Sequence, residues 1–191
     1  MNDINRICSK LSNSEIVILP SDTLYGIAAN AYDKIAVEKV FAIKQRPDTK
    51  KLPIHYSSLE QASKDIIIND VIKKLAKKFM PGALTIIANQ KSDSKLLIDG
   101  TVGFRIPKHN TLLEIIRKLN IPITMPSANI HNQAPLMEFA KIQEILKLDG
   151  IEDDSSICKI PSTIVDATGK NISLIREGAI SFHEIQLVLN N

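Results

Sequence analysis

The chain has 191 residues, with 24 Lys and Arg against 21 Asp and Glu, a formal net charge of +3 and only five arginines. Its length favours one domain, residues 1–191, with a hydrophobic core that needs no metal or disulfide support. Its seven glycines form neither a G-x-G-x-x-G nor a G-x-x-x-x-G-K-[ST] arrangement, so two glycine-rich phosphate loops are excluded and any bound anion must be held mainly by side chains.

Short β-branched runs alternate along the chain with longer amphipathic runs. The short runs predict strands at Glu15–Pro20, Leu52–Tyr56, Leu84–Asn89, Val102–Pro107, Ile121–Met125, Thr163–Asp166 and Ile172–Arg176. The longer runs predict helices at Asp33–Lys44, Asn69–Phe79 and Glu138–Leu148. Two capping-box patterns, Thr111-x-x-Glu114 and Ser181-x-x-Glu184, predict helices that begin at Leu112 and Phe182. Strands and helices in this alternation indicate an α/β (α+β) fold with a mixed sheet flanked by helices.

Several classes of protein and site are disfavoured by the composition. The aromatic content of 4% argues against a base-stacking RNA surface. Cys8 and Cys158 form no C-x-x-C pattern, so we expect two free thiols and no zinc site. The acidic stretch 149–156 has no metal-ligand spacing and is expected to be a surface loop. No apolar run could span a bilayer and no signal peptide is evident, which predicts a cytoplasmic protein without membrane attachment.

Polar residues gather where the predicted strands end. Pro20–Gly26 places three oxygen-bearing side chains after a strand, a pattern typical of a ligand-binding turn or of a simple Ser/Thr turn. Lys44–Lys51 carries four positive charges after a helix, which fits either a phosphate site or a helix end with solvated lysines. Arg105 lies inside an apolar strand, and a buried arginine requires a carboxylate from the protein or from a ligand. Comparable polar groups follow at 124–129, 161–166 and 174–180.

Six of these segments, and a seventh at 81–85, occur together in a recognisable order. The motifs are PSDTLYG, KQRP, PGALT, VGFRIP, PSAN, PSTIVD and IREGAI, and the resemblance that they carry covers the chain from about Ser14 to Ile180. In order and approximate spacing they resemble the YrdC-like threonylcarbamoyl-AMP synthases of the short, single-domain TsaC type. The resemblance implies a twisted, mostly mixed sheet with a deep, positively charged cavity. It also implies the reaction of L-threonine, bicarbonate and ATP to threonylcarbamoyl-AMP and pyrophosphate, for the threonylcarbamoyladenosine modification of tRNA.

The resemblance also assigns site residues by their positions in the motifs. It implies that L-threonine contacts Thr23, His55, Arg105, Met125 and Ser162. It implies that ATP contacts Arg46, Lys50, Thr101, Ser127, Asn129, Pro135 and Arg176. Lys44 and Arg46 are expected to be catalytic because they would offset the negative charge that develops on the phosphates. His55 is assigned by the resemblance alone, since a single histidine in a strand is usually an ordinary half-buried residue.

The expected chemistry needs no covalent nucleophile. No Cys or Ser in the motifs has a histidine beside it as a base, so catalysis is expected from positioning and charge neutralisation. No metal site formed by the protein is predicted, and Mg²⁺ is expected to arrive bound to ATP. The expected partner is a separate transferase that passes the threonylcarbamoyl group to tRNA, because the sequence ends at Asn191 without the extra C-terminal domain of longer family members.

Two alternatives stay open, one because of a departure from the family and one because the implied basic cavity also resembles an RNA-binding one. His131 and Asn132 follow PSAN, where the family has a Ser-Gly pair, so the contact of this loop with the nucleotide is in question. One alternative is a paralogue with the same cavity and a different carbamoyl or acyl nucleotide chemistry. The other is an RNA-binding module, which would bind tRNA weakly, with a steep salt dependence and without consuming ATP.

Overall fold

A single eight-stranded sheet organises the computed structural model, which describes residues 3–47, 51–97, 100–130 and 133–190. In these ranges the strands are β1 Val17–Leu19, β2 Gly26–Asn30, β3 Ile54–His55, β4 Leu84–Asn89, β5 Thr101–Arg105, β6 Ile123–Thr124, β7 Thr163–Asp166 and β8 Ser173–Arg176. The helices are α1 Asp3–Ser12, α2 Lys34–Lys44, α3 Leu59–Ala62, α4 Asp70–Phe79, α5 Asn110–Leu119, α6 Phe139–Leu146 and α7 Phe182–Asn190.

The strand order is β1-β2-β6-β3-β5-β4-β7-β8. The pairs β3–β5 and β4–β7 are parallel, and the other neighbouring strands are antiparallel. The predicted α/β fold with a mixed sheet is therefore confirmed. All seven predicted strands are present, and β4 and β7 have the predicted bounds.

Three elements in the described residues were not predicted from the sequence: α1, β2 and the short α3. Strand β2 has the sequence GIAAN, which contains one β-branched residue and no alternation, although its first four residues are buried. It lies between β1 and β6 in the sheet, so partners on both sides stabilise a segment with little intrinsic strand preference.

The two predicted capping boxes have different outcomes. The box at Ser181 is confirmed, because Ser181 N donates to Glu184 Oε2 at 3.0 Å and Glu184 N donates to Ser181 Oγ at 3.3 Å. The predicted helix start at Leu112 is wrong. Helix α5 begins at Asn110, and the Thr111 hydroxyl donates to Asp153 Oδ2 at 2.7 Å rather than capping the helix.

The central strands have one face in the main hydrophobic core and the other in a cavity. Ile86 of β4, Phe104 of β5 and Val165 of β7 pack with Leu75 of α4 and Ile185 of α7. Two further clusters pack α1 and α5, and then α2 and α6, against the β1–β2–β6 half of the sheet. Because side chains alternate along a strand, the neighbours of these core residues face the opposite side and form the site described below.

The remaining expectations concern cysteines, metals and membranes. Both cysteines are free, as predicted, with Cys8 buried and Cys158 exposed. In the part of the chain that the structure describes, no group of three or more His, Cys, Asp or Glu side chains could hold a metal ion. None of the described helices is long and apolar enough to cross a bilayer.

Candidate active site

A cavity of about 350 Å³ lies on the face of the sheet opposite the main core. The central strands form its floor through His55, Thr85, Ile87, Thr101, Gly103, Arg105 and Ile164. The register explains this grouping, because Ile87 lies opposite Gly103, His55 beside Arg105 and Thr85 beside Ile164. The order of the strands in the sheet therefore creates the cavity, because its floor is formed by four strands that are distant in sequence.

The turn that joins β1 to β2 forms one wall of the cavity. The Ser21 hydroxyl organises this turn by donating to Leu24 O at 2.7 Å and accepting from the amides of Thr23 and Leu24 at 3.2 Å. Gly26 follows, where an added Cβ would lie 2.5 Å from Met125 Cγ. Only glycine therefore lets the start of β2 approach the segment after β6, and this contact brings Met125, Pro126 and Ser127 to the opposite wall.

Positive charge dominates the cavity. Its lining contains Arg46, Lys51, Arg105 and Arg176, and none of the described lining residues carries a carboxylate. The four cations differ in depth, because Arg105 is 3% exposed, Arg46 is half-buried, and Lys51 and Arg176 are exposed. A concave surface with this charge attracts anions. The three outer cations suit a large anionic group, and the single buried arginine suits a small one.

Arg105 is the charged group at the buried end. Its NH2 group donates to Asp22 Oδ1 at 2.5 Å, and its NH1 group donates to Thr23 Oγ1 at 2.9 Å. Asp22 is thus the protein carboxylate that the sequence left as one of two alternatives. A guanidinium has five N–H groups, so three remain after these two bonds. One of the three is Nε, which is buried and has no hydrogen-bond partner among the described residues.

His55 lies beside Arg105 in the sheet and is 3% exposed. Burial, and then the nearby Arg105 charge, lower the pKa of His55 well below its usual range, so the imidazole is neutral at neutral pH. Its buried Nδ1 makes no hydrogen bond to any residue that the structure describes. Buried polar atoms in proteins are normally paired, so a polar ligand in the cavity would supply the partners that these two atoms lack.

Lys44 lies behind the cavity wall and does not line the cavity. It ends α2, where Gln45 has the left-handed conformation (φ 48°), and its Nζ is directed towards the PSAN segment. This Nζ donates to Ser127 O at 2.5 Å, Asn129 O at 2.7 Å and Asn129 Oδ1 at 3.2 Å. The Ser127 hydroxyl also donates to Asn129 Oδ1 at 2.6 Å. The Lys44 ammonium therefore fixes the loop that presents Ser127 to the cavity.

The exposed end of the cavity is tied together by basic residues. Arg46 NH2 donates to Lys51 O at 2.8 Å. Lys51 Nζ donates to Thr101 O at 2.9 Å and to Thr101 Oγ1 at 2.8 Å. Lys51 was not among the predicted site residues. Its place in the basic run after KQRP was the available signal, but the same signal fits a solvated lysine.

A third group of polar contacts surrounds Ser162. Arg176 donates from Nε and NH2 to Ser162 O at 3.2 and 2.8 Å. The hydroxyls of Ser162 and Thr85 share a buried hydrogen bond of 2.8 Å. Thr85 also lines the cavity, and sequence reasoning missed it because a threonine inside an apolar strand has no distinguishing pattern.

The structure brings most of the predicted site residues together. Ten line the cavity: Thr23, Arg46, His55, Thr101, Arg105, Met125, Ser127, Pro135, Ser162 and Arg176. Lys44 and Asn129 support its wall from behind. Lys50, together with His131 and Asn132, lies outside the described residues. The roles of these residues remain predictions, because placement in a cavity does not itself identify a ligand.

Comparisons with known proteins place this architecture in a family. The Sua5/YciO/YrdC family model, described as "Telomere recombination", matches residues 9–178. The chain belongs to this family. A protein of Methanocaldococcus jannaschii is 38% identical over 181 residues, which cover 92% of this chain and 86% of that protein. The threonylcarbamoyl-AMP synthase of Pyrococcus abyssi is 31% identical over 188 residues, 94% of this chain and 55% of that enzyme.

The family also includes a solved structure with a bound small molecule. The crystal structure of Pyrococcus abyssi Sua5 complexed with L-threonine superimposes with a TM-score of 0.89 and 31% identity. The match covers 97% of this chain and 57% of that one. The chain therefore has the Sua5 fold and spans somewhat more than half of that longer relative.

Proposed function

We propose that this member of the Sua5/YciO/YrdC family is an L-threonylcarbamoyladenylate synthase, a nucleotidyltransferase that uses L-threonine, bicarbonate and ATP. The observation that carries the proposal is that one cavity has a buried end and an exposed end, which contain different charged groups. A buried arginine with an unpaired Nε lies beside a neutral histidine at its deep end, and three further cations lie towards solvent. The name of the Pyrococcus abyssi relative and its complex with L-threonine support the same activity.

The deep end suits the amino acid. Arg105 has Nε and two further N–H groups available for a carboxylate, while Asp22 and Thr23 hold the guanidinium in place. The hydroxyls of Thr23 and Ser162 also line this end of the cavity. Neutral His55 adds no positive charge, so Arg105, paired with Asp22, is the single cation that lines the buried end among the described residues.

The exposed end suits the triphosphate. Arg46, Lys51 and Arg176 lie around it, and the Ser127 hydroxyl is held nearby by Lys44. Mg²⁺ prefers to bind through substrate phosphates, so we propose that it enters with ATP. Lys50 falls outside the described residues, and its contact with ATP stays a proposal from the family motif.

The proposed reaction has two bond-forming stages. The neutral amine of threonine attacks the carbon of bicarbonate, and loss of water leaves a carbamate. A carbamate oxygen then attacks the α-phosphorus of ATP, the bond between that phosphorus and the bridging oxygen breaks, and pyrophosphate leaves. The cations at the exposed end would offset the charge that develops on the phosphates. The product is a reactive mixed anhydride, so we propose that a separate transferase consumes it and modifies tRNA.

The experiment that tests this proposal is pyrophosphate release from ATP with a panel of amino acids. We expect release that depends on both L-threonine and bicarbonate. Equal release with serine, or with no amino acid, would contradict the threonine assignment and favour a paralogue with another carbamoyl or acyl nucleotide chemistry. Salt-sensitive tRNA binding without ATP consumption would favour the RNA-binding alternative.

Thr85 provides a further prediction for the amino-acid end. Thr85→Val removes the hydroxyl that bonds Ser162 at 2.8 Å and keeps the side-chain shape. One neutral hydrogen bond contributes about 1 kcal/mol, so the KM for threonine should rise roughly fivefold with little change in the KM for ATP. Steady-state kinetics measure both values. Thr85→Ser keeps the hydroxyl and loses only the methyl group, so its threonine KM should lie closer to the wild-type value than that of Thr85→Val. Equal KM values in the two variants would contradict this role for the hydroxyl.

A further inference from the structure

Gly103 lies in the middle of β5, with its neighbours Thr101 and Arg105 on the cavity face. A glycine inside a strand weakens the strand and leaves no side chain to pack, so its presence there requires a reason. The usual reasons are a positive φ angle or the close approach of another backbone.

Neither reason applies to Gly103. Gly100 is the glycine with positive φ in the part of the chain that the structure describes. A Cβ added at Gly103 would lie 3.7 Å from Thr85 Cγ2 and 4.0 Å from Ile87 Cγ1, which are ordinary contact distances. At Gly26, by contrast, an added Cβ would lie 2.5 Å from a methionine carbon. The fold would therefore accept alanine at Gly103 but not at Gly26.

The space above Gly103 belongs to the cavity and has apolar walls. The nearest atoms are the methyl of Thr85 and a side-chain carbon of Ile87, and Ile164 lies beside Thr85 in the sheet. Gly103 is two residues from Arg105, or about 7 Å along the strand. Methyl and methylene carbons suit an apolar group and do not suit phosphate, so an apolar group of a ligand held by Arg105 would fit this recess.

We infer that Gly103 is a specificity-determining residue, whose missing side chain makes room for the β-methyl group of threonine. This inference rests on the proposed function, which places the carboxylate of the amino acid at Arg105. It accounts for a glycine that neither backbone conformation nor crowding explains. It also predicts that a methyl group added to the protein competes with the methyl group of the substrate.

The test compares Gly103→Ala with Gly169→Ala in the full chain. Gly169 is a matched control because an added Cβ there would lie 3.7 Å from Asn171 O and the residue does not line the cavity. One methyl group in an apolar pocket changes kcat/KM by roughly 10- to 200-fold. For Gly103→Ala we expect kcat/KM for threonine to fall by about tenfold or more, while kcat/KM for serine changes much less. The ratio of serine to threonine activity should rise, and Tm should not fall.

Several outcomes would overturn the inference. If the wild-type protein is active and Gly103→Ala leaves the ratio of serine to threonine activity unchanged, the inference is wrong. The proposed function is unaffected by that result. A rise in the KM for ATP without a change for threonine also overturns the inference, because it would place the nucleotide over Gly103. Wild-type protein that neither binds threonine in calorimetry nor releases pyrophosphate with it overturns the proposed function, and the inference falls with it. Gly169→Ala should match the wild type in every readout.

Discussion

Arg105→Lys should raise the KM for threonine by roughly 100-fold while the protein stays folded. Lysine keeps a positive charge beside Asp22, so the buried carboxylate is not left without a counter-ion. Lysine lacks both the planar fork and the Nε group, which in Arg105 is buried and unpaired among the described residues. A hydrogen bond to a charged group contributes up to about 3 kcal/mol, which corresponds to the expected 100-fold change.

Calorimetric titration of threonine and steady-state kinetics measure the effect, and thermal unfolding reports the state of the fold. Arg117→Lys is the matched control, because Arg117 is an exposed residue of α5 and should leave threonine affinity unchanged. Arg105→Ala is the less informative variant, since it leaves Asp22 buried without its partner. If Arg105→Lys keeps the threonine affinity of the wild type with an unchanged Tm, the carboxylate assignment is wrong.

The Arg105 environment illustrates which features of the site the sequence predicts. A charge inside an apolar strand must be paired, and that physical requirement is visible in VGFRIP alone. The identity of the partner is not visible, because Asp22 is 83 positions away and meets Arg105 only through the order of the strands. The motifs PSDTLYG and VGFRIP indicated both segments. Only the fold shows that one terminal nitrogen of Arg105 donates to Asp22 and the other donates to Thr23.

Other parts of the site depend on tertiary geometry in the same way. Local periodicity predicted β4 and β7 to the residue, because each is a compact apolar run. It gave no sign of β2, whose small residues form a strand only between two partners. The same limit applies to Thr85 and Gly103, which have no distinctive local pattern. Their significance comes from the atoms that the sheet register places beside them.

Lys44 shows that a motif predicts proximity to a site better than it predicts a role. KQRP and PSAN were both assigned to the nucleotide, and the structure joins them through the Lys44 ammonium. Three of its contacts are to oxygens of the PSAN segment, behind the cavity wall. We therefore propose that Lys44 acts as a positioning residue for the Ser127 loop, and that Arg46 is the member of the pair that faces the phosphates.

Binding of a non-hydrolysable ATP analogue should weaken as pH rises through about 8. Burial, and then the nearby Arg46 charge, lower the pKa of Lys44 from its ordinary 10.5 to about 8. Above that pH the folded protein loses the ammonium, and a neutral amine cannot donate to all three oxygens of the PSAN segment. The Ser127 loop then loses its fixed position, which lowers the affinity for the nucleotide. A binding assay avoids the titration of the threonine amine, which would obscure the effect in turnover.

The sign of the stability change separates this effect from alkaline unfolding. Between about pH 8 and 10.5 the unfolded chain binds more protons at Lys44 than the folded protein does, so this group makes the free energy of unfolding rise with pH. As pH rises through this range, the affinity for the ATP analogue should therefore fall while the contribution of Lys44 to the free energy of unfolding increases. Lys44→Met keeps the length of the side chain and should bind the analogue roughly tenfold more weakly at pH 7. The reason is that a buried oxygen left without its donor costs about 1–3 kcal/mol. The affinity of Lys44→Met should show no step near pH 8, and a step that persists in this variant would assign the titration to another group.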